Sequence, residues 1–161
     1  MPGKQRRSYC FYESSYARSL RRAVRLDYSR RWRMRSNRSV EEVNGKLRES
    51  DERPWGRFEV LEERPGFKVK VLEVKPGARL SLQRHAHRGE HWVVVAGTAD
   101  VVCGERELRL NQGEHIHIPP QTPHRLGNSS DRPLALVEVQ LGDYLGEDDI
   151  VRLEDDYHRV E

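Results

Sequence analysis

Residues 77–97 read G-A-R-L-S-L-Q-R-H-A-H-R-G-E-H-W-V-V-V-A-G. Gln83 and His85 are two apart, so on a β-strand their side chains leave the same face. Glu90 follows five residues later, where a neighbouring strand can bring its carboxylate alongside. A second run, G-E-H-I-H-I-P-P-Q-T-P-H-R-L-G-N at residues 113–128, offers His124 as a fourth donor. Two imidazoles, one carboxylate and one amide oxygen form a ligand set suited to a borderline divalent metal.

Outward from these runs the chain is short β-rich segments with turn punctuation. Strands are expected at 58–61, 67–74, 80–85, 91–96, 98–103, 107–110, 115–118, 122–126 and 134–140, with turns at Arg64-Pro65-Gly66, Pro76-Gly77, Gly104-Glu105 and Asn111-Gln112-Gly113. Many short strands at near-regular spacing predict an all-β barrel or sandwich. The acidic segment 142–157 is expected to hold one short helix or turn, capped near Asp148. Asp148, Asp149, Asp155 and Asp156 are read mainly as a solvated tail, with a substrate lid as the alternative. His115 and His117 share a face, expected to be the outer one; of His91 and Trp92, one packs and the other is exposed. Trp55 and Gly56 are expected to close one end.

The chain has 161 residues, 34% of them charged, enough for one domain with a core. No apolar run approaches the ~20 residues that span a bilayer, so no membrane partner is expected. Cys10 and Cys103 match no ligand spacing and read as free thiols in a reducing cytoplasm. The net charge of +3 conceals two unlike parts. Residues 1–38 carry twelve Lys/Arg against two acids; residues 39–161 carry seventeen against twenty-four. The basic leader admits three readings: a nucleic-acid-binding arm, an organelle transit peptide, or read-through upstream of a true start at Met34. It has neither amphipathic periodicity nor a secretory apolar stretch, and is expected to be disordered or non-native. No recognition motif supports a nucleic acid partner. The expected organisation is a leader over 1–50 and a folded domain over 51–161.

Both donor runs resemble the two motifs of the cupin superfamily. Gly77, Gln83, His85, Glu90 and Gly97 fall in the first motif's register, with Gln83 in place of its first histidine. Gly113, Pro119, Gln121, His124 and Asn128 fall in the second, with Gln121 in place of a glycine. A narrower resemblance is to the type II mannose-6-phosphate isomerase cupin, which usually forms the C-terminal part of a bifunctional mannose-1-phosphate guanylyltransferase/mannose-6-phosphate isomerase. L-S-L-Q-R-H from Leu80, R-P-W-G from Arg53, K-V-K from Lys68, P-Q-T-P-H-R-L from Pro120 and G-D-Y-L-G-E-D-D-I-V-R from Gly142 carry it. The resemblance implies a double-stranded β-helix, a jelly-roll-like barrel. It also implies a metal held by Gln83, His85, Glu90 and His124: Zn²⁺ first, with Mn²⁺, Co²⁺ and Fe²⁺ compatible. The implied activity is interconversion of mannose 6-phosphate and fructose 6-phosphate, in the cytoplasm, within GDP-mannose biosynthesis. No G-x-G-x-R-L loop that would cradle nucleotide phosphates is present, so guanylyl transfer is not expected.

Aldose–ketose isomerisation needs a Lewis acid for the developing enediolate, a proton carrier and a phosphate anchor. Arg125, beside His124, together with Glu138 and His87, are the candidates for the catalytic steps. Lys70, Lys68 and Arg79 are candidates for holding the phosphate. For each cation the alternative is a solvated surface charge, and for Glu138 a place on the wet face of its strand. Other functions compatible with these residues are a non-catalytic sugar-phosphate-binding cupin or accessory subunit to a separate guanylyltransferase, and a metal dioxygenase. A homodimer is expected from the fold class.

Overall fold

The computed structural model describes residues 39–43 and 46–159. The leader to residue 38, with the three readings attached to it, lies outside the described residues. Those residues form twelve strands and no helix: β1 Ser39–Val43, β2 Lys46–Arg53, β3 Gly56–Arg64, β4 Phe67–Val74, β5 Leu82–Arg84, β6 Arg88–Ala96, β7 Thr98–Cys103, β8 Arg106–Asn111, β9 His115–Ile118, β10 His124–Gly127, β11 Leu134–Gly142 and β12 Val151–Glu154. They make a seven-stranded sheet, β1-β2-β3-β4-β11-β6-β9, and a five-stranded sheet, β12-β5-β10-β7-β8. Every strand pairing is antiparallel.

Alternation drives this architecture. On β4 every second residue is buried, placing Lys68, Lys70, Leu72 and Val74 on the inner face. On β11 the inner row is Leu134, Leu136, Glu138 and Gln140; on β6 it is Glu90, Trp92 and Val94. The smaller sheet contributes Ala99, Val101 and Leu126, and the two inner faces share one hydrophobic core with Trp55, Phe58 and Ile118. Gly97, at φ 79°, lets the chain pass Pro133, whose carbonyl oxygen would lie 2.7 Å from any Cβ there.

The segment 142–157 holds the turn alternative, at Glu147-Asp148, and no helix; it then runs into β12, paired to β5. Two expectations are corrected. Asp149 is buried rather than solvated. The expected strand 122–126 starts at His124, because Gln121 turns the chain at φ 62°. The boundary expected at residue 51 falls within β2, whose pairing with β3 joins it to the larger sheet. Trp55 is buried, Trp92 packs inward, and His115 and His117 lie exposed on the outer face, with His117 stacked on His91 at 4.4 Å.

Candidate metal centre

His124 on β10 lies directly opposite Gln83 on β5, so the two side chains share the inner face. His85 follows β5, and Glu90 enters from β6 in the facing sheet. Ligand atoms of His85, Glu90 and His124 all lie within 4.8 Å of one another, and all three residues are buried. His85 Nε2 is 3.1 Å from Glu90 Oε1, and His124 Nε2 is 3.6 Å from Glu90 Oε2.

The outer nitrogens orient the rings. His85 Nδ1 is 2.6 Å from the Asp149 carbonyl oxygen, and His124 Nδ1 is 2.9 Å from that of Thr122. A carbonyl only accepts, so each Nδ1 carries the proton and each Nε2 turns its lone pair toward Glu90. His124 Nε2 is buried with no hydrogen-bond partner. A buried acceptor with nothing to accept from is costly; two inward lone pairs beside a carboxylate fit a divalent cation. Burial holds the His124 pKa below its usual value despite the Glu90 charge, keeping the ring neutral as a ligand must be. Burial opposes the charge on Glu90 as well, but contact with His85, His124 and the Arg88 guanidinium holds its carboxyl well below the usual range. Gln83 lines the same pocket, its amide oxygen accepting from Ser81 Oγ at 2.9 Å.

The pocket, about 70 Å³, meets the trio at Glu90 and is lined also by Lys70, Arg88, Glu138, Gln140, Glu147 and Arg152. Glu138 is buried: Trp92 Nε1 donates to it at 3.1 Å and Gln140 Nε2 at 2.7 Å. Burial, reinforced by the Glu90 charge, pushes its carboxyl up to about 8 against the opposing pull of Lys70 and Arg88. Lys70 also reaches the pocket, but its ammonium is paired with Glu147. Lys68 donates to the Leu145 carbonyl at 2.9 Å and lies 3.3 Å from Glu63.

Three other candidates stand apart. Arg125 pairs with Glu154 at 2.8 Å and Arg79 makes two hydrogen bonds to Asp156; both line a separate surface pocket on the smaller sheet. His87 is exposed, edge-on to Tyr144. Residues that the motif reading passed over are prominent instead. Arg88, buried two positions before Glu90, lies 3.4 Å from that carboxylate and donates to the Gly146 carbonyl. Its parity with Glu90 was the available signal. Asp149 accepts from the backbone N–H groups of Ala86 and His87 while its carbonyl holds His85, so the segment after β11 buttresses the ligand loop. Asn128, which closes the second motif, is structural: its amide donates to the carbonyls of Val74, Lys75 and Arg132.

A sequence profile described as "Mannose-6-phosphate isomerase C-terminal" matches residues 41–155, which hold every residue of this centre. The chain belongs to that family. This isomerase C-terminal domain is 52% identical over 108 residues to the alginate biosynthesis protein AlgA of Pseudomonas aeruginosa, covering 67% of this chain and 22% of that protein. It is 54% identical over 108 residues to the xanthan biosynthesis protein XanB of Xanthomonas campestris, covering 67% and 23%. The chain thus spans under a quarter of the length of these relatives. Among solved structures, a Klebsiella pneumoniae protein with a double-stranded β-helix domain superposes with a TM-score of 0.54 at 24% identity, over 72% of this chain and 91% of that one. The capsular polysaccharide assembling protein CapF of Staphylococcus aureus superposes with a TM-score of 0.58 at 20% identity, over 65% and 34%. The domain is a cupin, a double-stranded β-helix. Among its described residues no helix is long and apolar enough to cross a membrane.

Proposed function

We propose that this domain is a metal-dependent mannose-6-phosphate isomerase, interconverting mannose 6-phosphate and fructose 6-phosphate through an enediol. The observation that carries it is the buried His85–Glu90–His124 trio, with its unpartnered Nε2, next to a carboxyl held near neutrality at Glu138. His85, Glu90 and His124 would hold the ion with Gln83 as fourth ligand, a set of three neutral donors and one charge that leaves it net positive. Zn²⁺ is the first candidate, Gln83 contributing a harder donor than imidazole. Once bound, such an ion supplies a Lewis acid for the sugar oxygens O1 and O2.

The remaining work belongs to side chains. A Glu138 carboxylate takes the proton from C2 of the aldose and returns it to C1 while the O2 hydroxyl proton passes to O1, giving the ketose; a group titrating near 8 can both accept and donate at neutral pH. Trp92 and Gln140 hold the Glu138 oxygens in place, and Arg88 sets positive charge beside Glu90. Arg125 and His87 are less suited to this role, since one is paired outside the pocket and the other is exposed. We place the reaction in the cytoplasm, in the supply of activated mannose. The name of a Salmonella relative, mannose-1-phosphate guanylyltransferase, supports that setting.

A coupled isomerase assay with and without chelator, paired with elemental analysis, tests the proposal. Turnover is expected to vanish on chelation and return with metal. Gln83→Ala and His124→Ala are expected to lower metal content and turnover together. Full metal retention in both variants overturns the ligand assignment. Sugar phosphate that binds without turning over would make the domain a non-catalytic binding module.

A further inference from the structure

Five cations line the pocket that meets the metal centre at Glu90: Arg53, Lys70, Arg88, Arg152 and Arg159. Four have a carboxylate within ion-pair distance: Asp51 for Arg53, Glu147 for Lys70, Glu90 for Arg88 and Asp155 for Arg159. Among the described residues Arg152 is the exception. It has no such partner, and its Nε is buried with no hydrogen bond. The charges beside it are partly of its own sign, since Arg159 and Arg53 both add to the effect of burial in lowering its pKa. Asp155 and Glu147 act in the opposite direction without pairing with it; a half-buried guanidinium set between charges of both signs, with an unused donor, is unfavourable for folding alone and is the arrangement an anion relieves.

Its position in the sheet is specific. Arg152 on β12 is the direct partner of Gln83 on β5, and Gln83 is the direct partner of His124 on β10. Residues directly opposed in an antiparallel sheet share a face, so His124, Gln83 and Arg152 form one row on the inner face. Neighbouring strands are about 4.8 Å apart, which puts the Arg152 backbone about 10 Å from that of His124. A ligand whose carbonyl end sits at the metal centre and whose anionic end lies several bonds away would run along this row.

We propose that Arg152 anchors the phosphate dianion of the sugar phosphate, with Arg53 and Arg159 supplying long-range attraction from their own ion pairs. Its planar fork can donate two parallel hydrogen bonds to phosphate oxygens. This assignment rests on the isomerase reading and adds to it the residue that selects a phosphorylated sugar over a free one. It also differs from an assignment to Lys70, whose ammonium is already neutralised by Glu147.

The experiment uses the full metal-loaded chain as wild type, Arg152→Gln and Arg152→Lys, with Arg64→Gln, an exposed charge outside the pocket, as control. The first readout is the melting-temperature shift and calorimetric affinity with inorganic phosphate and with mannose 6-phosphate. The second is KM and kcat in the coupled assay. Arg152→Gln is expected to weaken phosphate-ligand binding and raise KM by about 30- to 100-fold, with a smaller change in kcat, as fits loss of one charge-assisted pair. Arg152→Lys should be intermediate, metal content unchanged, and the ligand-free Arg152→Gln protein at least as heat-stable as wild type. Binding or KM within twofold of wild type in Arg152→Gln overturns the anchor, as does an equal loss in Arg64→Gln. If wild type binds mannose 6-phosphate without turnover and Arg152→Gln loses that binding, the anchor stands and the isomerase reading falls. If Arg152→Gln turns over with unchanged KM, the isomerase reading stands and the anchor falls. A wild type that binds neither probe overturns the anchor outright.

Discussion

The two ends of the inner face are built from the same strands and are equally dry, yet their chemistry is opposite. In the register of β4, β11 and β6, one row across the sheet is Leu72, Leu136 and Val94; two rows further on it is Lys68, Gln140 and Glu90. Members of both rows are buried. Between them lies a mixed row, Lys70, Glu138 and Trp92, where the indole packs as core and donates its N–H to both Glu90 and Glu138. Burial alone therefore does not separate what holds the fold from what the fold holds. The apolar end gains free energy from every side chain removed from water. The polar end needs a hydrogen bond for each buried group to approach neutrality, and three of its atoms or charges remain uncompensated: His124 Nε2, Gln140 Oε1 and Arg152. Among the described residues the fourth such atom, Arg125 Nε, lies by the separate surface pocket; three of four unmet polar groups at one end mark a binding site.

The largest expected effect sets the ends against each other on one strand. Leu136→Ala is expected to cost about 3 kcal/mol of stability, as a fully buried leucine truncated in a closed core does, with metal content intact. Glu138→Gln, one step along the same face, should change stability by no more than about 1 kcal/mol while lowering turnover at least ~100-fold, the loss of a positioned proton carrier. Urea melts, elemental analysis and the coupled assay on both variants check this. Comparable stability losses would mean that the polar end is structural.

A smaller, pH-dependent effect sharpens the contrast in chelator-treated protein. Glu138 titrates near 8 in the folded state against an ordinary 4.5, so between those values the native state binds more protons than the unfolded chain. Stability must then fall as pH rises through that window. His124 is shifted down from 6.5 by burial, so below 6.5 the unfolded chain binds its proton more readily and stability rises with pH. The two oppose each other below 6.5; from there to 8 the Glu138 slope is left, approaching but not exceeding about 1.4 kcal/mol per pH unit. The groups that set it are Glu90 from β6, Lys70 from β4 and Arg88. Urea midpoints at pH 6.5 and 8 should decline in wild type and stay flat in Glu138→Gln. A flat wild-type profile would show that Glu138 is already ionised in the folded state.

Legibility in the sequence followed locality. The expected strands 67–74, 98–103 and 115–118 coincide with β4, β7 and β9, since each declares itself by its own alternation and flanking turns. His85, Glu90 and His124 converge as their motif spacing implied, each being carried by such a strand or its edge. The acidic tail was opaque for a physical reason. β12 pairs with β5 across nearly seventy residues, and Asp149 is buried by backbone N–H groups of Ala86 and His87, partners that no local pattern shows. Arg125 illustrates a rule that was available: adjacent strand residues point to opposite faces, so the neighbour of an inward His124 turns outward, where it meets Glu154. Arg152 shares its face with Gln83 only through the long-range β12–β5 register.

The smallest expected effect lies at the rim of the polar end. Gln121 stands where the second motif usually has glycine, and it adopts φ 62°. A side chain in the left-handed region costs about 1 kcal/mol or somewhat more, and the Gln121 side chain is exposed, so little offsets that cost. The conformation is held because the Gln121 N–H donates to the His85 carbonyl at 2.7 Å, tying the turn before β10 to the ligand loop after β5. Gln121→Gly relieves the strain but adds backbone entropy to the unfolded chain, worth about 0.5–1 kcal/mol. The net change is expected to be a gain of a few tenths to about 1 kcal/mol, with metal content unchanged. Gln121→Val, a β-branched residue poorly suited to positive φ, should lose stability and, by loosening the His85 tether, weaken metal retention as well. An order of glycine, glutamine, valine in urea midpoint supports a strained turn that serves the site; three equal midpoints would show that the loop yields freely and that the polar end draws no rigidity from it.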